Sequence, residues 1–222
     1  MKIDTHVLLL PETNQQWWDA CRATLKEEPI NLLTTEGIRG HIGKARTKGF
    51  QLGDSPYISF VDPDDLVIPG AFNACLKTLE AHPEACGTFT DEVLMTGDCK
   101  PIRPGFFSGH PWNPLHMLEP QYMHHLLVMR REAVLPYLQE LDRWPNLAEF
   151  VLKGLMVQQG PWVRTDMVGY QWRISENRQS THKQFPVTGV NAARWRIIPL
   201  LYQAARKYNK LPDQAASTEP TA

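Results

Sequence analysis

Cysteine is scarce: only Cys21, Cys75, Cys86 and Cys99 occur in 222 residues. None stands in a C-x-x-C pair, and none has a histidine at zinc-ligand spacing. Reduced thiols in a cytoplasmic protein are therefore expected, with no disulfide framework. Long apolar runs are missing too. No stretch approaches the roughly 18 residues that a membrane helix needs, so no transmembrane segment is expected. The first residues hold only the short run "VLLLP" and no small-residue cleavage site, which argues against a secretory leader. Histidines His110, His116, His124 and His125 gather in sequence, yet H-E-x-x-H does not occur. No serine sits in G-x-S-x-G. "GHIGKA" falls short of a phosphate loop, because Ile38 stands where a glycine and Ala45 where a hydroxyl would be required. Zinc hydrolases, serine hydrolases of the elbow type and P-loop enzymes are thereby excluded.

What is present is ordinary in bulk and uneven in detail. Hydrophobic residues make up 42% and charged residues 21%, as in a globular domain. The net charge of -1 conceals a division along the chain. From Gly160 to Leu211 there are nine basic side chains, Arg164, Arg173, Arg178, Lys183, Arg194, Arg196, Arg206, Lys207 and Lys210, against Asp166 and Glu176. Such a basic region suits an anionic partner, a nucleotide diphosphate or a nucleic acid, or else a solvated face.

Strand-like and helix-like segments alternate. "THVLLLP", "PINLLTTEG", "PYISFVD", "ACGTFTDEVLM" and "PWVRTDMVGYQWRI" read as strands. "NQQWWDACRATLKEE" reads as a helix capped by Asn14, with Trp17, Cys21 and Leu25 on one face. Further helices are expected at "IGKARTKGFQLG", "IPGAFNACLKTLEAHPE", "NLAEFVLKGLMVQQG" and "VNAARWRIIPLLYQAARKYNK". "KPIRPGFFSGHPWNPLHMLEPQ" is rich in proline and aromatics and reads as a long functional loop, its Trp112 and Phe107 being candidates to stack on an acceptor. Residues 1–211 form one expected α/β domain, and 212–222 a polar, disordered tail.

"YISFVDPDDLVIPG" places Asp62, Asp64 and Asp65 at the end of a strand. Carboxylates so close repel unless a cation or hydrogen bonds compensate. In open α/β sheets ligands bind at the carboxyl ends of strands. Two readings stand there: a Mg²⁺ or Mn²⁺ site facing a diphosphate, or acids that cap the following helix.

The stretch "GHIGKARTKGFQLGDSPYISFVDPDDLVIPGAF" resembles the core of the family 2 glycosyltransferases. Its Gly40, Ala45, Arg46 and Gly49 precede a strand that closes in D-x-D-D, with Pro69 four residues on. "VLLLPETN", with Pro11, is similar to the family's opening strand. "TDEVLM", "HLLVMRREAV", "AEFVLKGL" and "GYQWRISENRQST" follow in the family's order, so the resemblance spans about residues 5 to 182. It implies a GT-A fold: a Rossmann-like mixed sheet with helices on both faces. It also implies inverting, metal-dependent transfer of a sugar from a nucleotide-sugar donor, a UDP-sugar being favoured, to an acceptor hydroxyl. That hydroxyl could belong to a soluble glycan, a protein or a modified DNA base. Asp62 and Asp65, with Arg46, Lys44 and Pro11, would bind the donor. Asp64 and His182 would hold Mn²⁺ or Mg²⁺. Glu149 would be the general base.

The pattern is not complete. Ala148 stands where the family has glutamate, Ser175 where a histidine often sits, and "LLTTEGIRG" is short and lacks base-reading acids. These departures support an alternative, a catalytically degenerate GT-A-like module that binds a nucleotide or a partner.

Overall fold

The computed structural model describes residues 2–174 and 187–211. The expected tail 212–222 and His182 lie outside the described residues. Strands β1 (Ile3–Leu9), β2 (Ile30–Glu36), β3 (Tyr57–Phe60), β4 (Leu66–Val67), β5 (Gly87–Met95), β6 (Pro101–Pro104), β7 (Leu127–Arg130) and β8 (Trp162–Arg173) form one mixed sheet. Its order is β2-β1-β3-β7-β5-β8-β4, with β6 beside β5. Helices α1 (Gln15–Leu25), α2 (Ile42–Phe50), α3 (Ala71–Ala81), α4 (Arg131–Val134), α5 (Leu138–Leu141), α6 (Ala148–Met156) and α7 (Val187–Lys207) complete the fold.

Both faces of the sheet are covered, and the strands show it. β3 is buried at every position, as expected of a strand packed on two sides. Leu127 and Met129 of β7 point to a core shared with α6 and α7, where Ile197 and Leu201 are fully buried. Leu126 and Val128, one step out of phase, join the core of α1 and α3. This alternation follows from the period of two along a strand.

Asn14 caps α1, its side chain accepting from the Trp17 amide at 3.1 Å. The buried face of α1 is centred on Trp18, Cys21 and Leu25, one position from the expected Trp17. Trp17 is instead half-buried, its ring 5.0 Å from the Arg173 guanidinium. The proline-rich loop contains a short strand, β6, and a 3-10 turn, Pro114–Leu118. Among the described residues β6 pairs only with β5, and such an edge tolerates prolines that a central strand would not.

β1 has parallel neighbours on both sides, β2 and β3. The chain passes to one side of β1 and then to the other, so a crevice opens at the carboxyl ends of β1 and β3. α2 forms one wall. Its first amides are taken by the segment before α6: Ile42 N–H donates to the Pro145 carbonyl at 2.9 Å and Gly43 N–H to that of Trp144 at 3.1 Å. A Cβ on Gly43 would lie 2.2 Å from the Leu141 carbonyl oxygen. Only glycine permits this approach, which brings α2 and α6 to the same crevice.

Candidate active site

The crevice is a cleft of about 600 Å³. Leu8 and Leu10 line it from the end of β1, Gly37 to His41 from the segment between β2 and α2, and Ile42 from the start of α2. Asp62 enters after β3, Glu149, Phe150 and Lys153 from α6, His124 and His125 from before β7, and Trp172 from β8. Residues separated by more than a hundred positions thus meet at one opening.

Arg46 organises the floor. Its side chain is 1% exposed. Nε donates to Glu149 Oε1 at 2.7 Å, and Nη2 donates to Asp62 Oδ1 at 2.8 Å. The guanidinium lies 4.2 Å from the centre of the Phe60 ring. Burial alone would lower the pKa of Arg46, but the two carboxylates outweigh it and hold the pKa above its ordinary value. Nη1 is buried with no hydrogen-bond partner among the described residues, and the Arg46 side chain faces the cleft.

The acidic loop is held from behind. Tyr170 O–H donates to Asp65 Oδ2 at 3.0 Å, and the Asp62 amide donates to the Tyr170 oxygen at 3.2 Å. Arg173 N–H donates to Asp65 Oδ1 at 2.7 Å, and its Nε to the Asp64 carbonyl at 2.6 Å. Asp65 is fully buried. Burial and the Asp65 charge push the Tyr170 phenol far above its usual range, so it stays a hydrogen-bond donor. The closing Y-x-x-R of the sequence, Tyr170 and Arg173, is therefore the brace of the acidic loop.

Asp62, Asp65 and His125 offer ligand atoms within 4.8 Å of one another. Oxygen and imidazole donors suit Mn²⁺ or Mg²⁺. His125 Nε2 lies 3.5 Å from Asp62 Oδ2, and its ring stacks on Tyr170 at 4.6 Å. Both Asp65 oxygens already accept hydrogen bonds, so Asp62 and His125 are the members of this cluster best placed to turn toward a cation. The Asp64 carboxylate is not in the cluster, whereas the sequence pointed to it first.

Other expectations fared unequally. Arg46, Asp62 and Glu149 do converge. Pro11 and Lys44 are exposed and are not among the described residues that line the cleft. Trp112 is no acceptor platform: it is buried to 7% exposure, donates to Met117 Sδ at 3.4 Å, and packs edge-on to Tyr208. Phe107 packs against Tyr122 at 5.0 Å, away from the cleft. Trp112 and Phe107 thus pin the loop while Phe106 stays exposed, and Trp172, set against His124 at 4.5 Å, lines the cleft together with Phe60 and Phe150. Sequence reasoning also passed over Lys153. Its Nζ donates to the carbonyls of Tyr122 and Met123 at 2.9 and 2.8 Å, and burial pushes its pKa down to about 8. One signal was available: Lys153 lies four residues after Glu149, on the same face of a helix. The cysteines are free, as expected, and burial raises the pKa of Cys21, Cys75 and Cys86. Such thiols are unreactive.

Residues 16–137, more than half of the chain, match the sequence model of Glycosyl transferase family 2. The chain belongs to that family. Among curated relatives, this family 2 chain is 32% identical over 62 residues to the minor teichoic acid biosynthesis protein GgaB of Bacillus subtilis, which is 28% of this chain and 7% of that protein. It is 28% identical over 112 residues to the O-antigen biosynthesis protein RfbC of Myxococcus xanthus, covering 50% of this chain and 8% of that one. The matched stretches are thus a small part of those relatives' lengths. Among solved structures, S. aureus TarS 1-349 in complex with UDP-GlcNAc superposes with a TM-score of 0.62 at 10% identity, over 82% of this chain and 62% of that chain. TarS 1-349 alone gives 0.60 at 9% identity over 99% and 76%. The fold is that of a GT-A-type glycosyltransferase domain. No helix among the described residues is long and apolar enough to cross a membrane.

Proposed function

We propose that this domain transfers a sugar from a nucleotide-sugar donor to an acceptor hydroxyl with inversion, in one in-line displacement. The observation that carries the reading is Arg46, one buried guanidinium that ties Asp62 to Glu149 across the cleft floor. Asp62 would meet the donor's ribose or sugar, and Glu149 would take the acceptor proton. Asp65 would act through the loop, by keeping Asp62 in place. The Arg46 Nη1 donor, already desolvated, suits a donor oxygen. Trp172 would stack on the acceptor or the transferred sugar. Asp62 and His125, with Asp64 adjoining, would hold Mn²⁺ or Mg²⁺. A divalent cation there would offset the charge that builds on the departing diphosphate. A UDP-sugar is the favoured donor, in keeping with the UDP-GlcNAc held by TarS, the structural neighbour.

A thermal-shift series with UDP, GDP, CMP and UDP-sugars, with and without Mn²⁺, tests this. A ligand at about 100 times its Kd adds about 2.7 kcal/mol of stability by mass action. In a chain of this size that raises Tm by about 5–10 °C. The shift should require one nucleotide and the metal, and Asp62→Ala should abolish it. Glu149→Gln should keep the shift and lose slow donor hydrolysis. Binding without turnover in the wild type would leave a binding module. No shift with any nucleotide would overturn the reading.

A further inference from the structure

α7 presents two faces. Ala193, Ile197, Leu201 and Ala204 are buried against α6 and the loop before β7. On the opposite side Trp195, Ile198, Pro199 and Tyr202 follow one another at helical spacing. Trp195 is 74% exposed and Tyr202 46%. A tryptophan this open on a folded helix leaves a large apolar area in water, and nothing in the core needs it there. Arg206 continues the same line, with Lys207 and Lys210 beside it, all exposed. Residues 187–211 include five cations and no acid. Arg194 and Arg196 are occupied by Glu119 and Glu140.

We propose that this face of α7 docks on an anionic lipid surface. Trp and Tyr, apolar in body and polar at the tip, favour the boundary between headgroups and acyl chains. The Arg206, Lys207 and Lys210 cluster complements anionic headgroups. A helix with an apolar aromatic stripe and cations, and without acids, lies in that plane. A phosphate backbone would satisfy the cations but give the stripe nothing to bury itself in. A second copy of the chain would bury the stripe but give the cations of Arg206, Lys207 and Lys210 no acid to meet on the same helix, since residues 187–211 hold none.

The placement bears on the cleft. Val190 of α7 lines it. Arg194 Nε donates to the Leu118 carbonyl at 2.8 Å, two residues before Pro120 on the cleft wall. Trp195 is five residues from Val190, about 8 Å along the helix axis. Docking therefore sets the cleft mouth close to the lipid, where an acceptor carried on a lipid would be presented. This consequence for the acceptor rests on the function proposed above; the docking itself does not.

Co-sedimentation with vesicles tests it: phosphatidylcholine alone against an equimolar mixture with phosphatidylglycerol. The intact chain should partition onto the mixed vesicles and hardly onto the neutral ones. Trp195→Ser with Tyr202→Ser should weaken partition at least about tenfold. Arg206→Ser and Lys207→Ser should weaken it about fivefold each. These side chains lie outside the core, so the variants should fold, and an unchanged Tm will show it. The nucleotide-induced shift is read on the same samples, so loss of docking and loss of donor binding are separate outcomes. Equal partition onto both vesicles, or none, overturns the proposal. So does binding unaffected by the aromatic pair, a dimer that the Trp195 variant dissolves, or a preference for duplex DNA.

Discussion

Arg46 must satisfy two carboxylates from a position with almost no water. Replacing it by alanine leaves Glu149 and Asp62 facing each other beside a cavity. Truncating one partner of a buried ion pair costs about 3–5 kcal/mol. The low end applies here, because the Asp62 side chain is 38% exposed. Arg46→Ala should therefore lose about 3 kcal/mol by urea denaturation, and donor hydrolysis with it. Arg46→Lys should recover part of the stability and little activity, since one ammonium cannot span both acids with the fork's geometry. If Arg46→Ala were as stable as wild type, the bridge would not organise the site. The sequence pointed to this arginine beside D-x-D but not to its bond with Glu149, because 103 positions separate the two. His6 carried no sequence signal at all. It is fully buried, and neither ring nitrogen has a hydrogen-bond partner among the described residues. Burial first, then Arg46, pushes its pKa down to about 4, with Asp4 opposing. The unfolded chain thus takes up a proton near pH 6.5 that the folded chain refuses. The stability at stake is whole above about pH 6.5 and is lost as pH falls toward about 4. It amounts to about 3 kcal/mol. His6→Leu should flatten the urea midpoint between pH 7 and 4.5; an unchanged slope would place the acid sensitivity elsewhere.

Two glycines decide how closely the helices approach. At Gly43 a Cβ would meet the carbonyl oxygens of Leu141 and Trp144 at 2.2 and 2.3 Å. At Gly154 it would meet the Ile197 side chain at 2.7 Å. A side chain can turn aside, but two carbonyls fixed by the chain cannot. Gly154→Ala should cost about 1–3 kcal/mol, the range of overpacking, with the cleft intact. Gly43→Ala should cost more, and should weaken nucleotide binding because α2 carries Arg46. Thermal melts and the nucleotide titration separate the two, and equal effects would deny α2 this role. Most elements were legible from periodicity and caps: Asn14 at α1, the apolar run of β3 and the α7 pattern all lie within one segment. β4, two residues long, gave too little pattern. Trp112 misled because an aromatic in a proline-rich loop reads the same whether it awaits a ligand or pins the loop.

At the scale of the molecule, ion pairing changes the meaning of the basic region. Arg164 is taken by Asp91 and Asp166, Arg194 by Glu119 and Arg196 by Glu140. Arg173 is spent on the acidic loop and on the Gly97 carbonyl. Composition counted these charges but could not see that acids from distant segments neutralise them or that the fold encloses them, just as it could not place β7 antiparallel between β3 and β5. Arg178 and Lys183 lie outside the described residues. The exposed cations of α7's end are Arg206, Lys207 and Lys210. Each cation that neutralises a DNA phosphate contributes about -0.9 to the slope of log affinity against log salt. Three of them give a slope of about -3. Fluorescence anisotropy with a labelled duplex, from low to physiological salt, should show weak binding with a slope no steeper than this. Lysine-to-serine changes at 207 and 210 should bring it toward -1. A slope near -6 would mean that the ion pairs above open on contact with nucleic acid or that the undescribed segment joins in. A DNA-borne acceptor would then gain on a lipid-borne one.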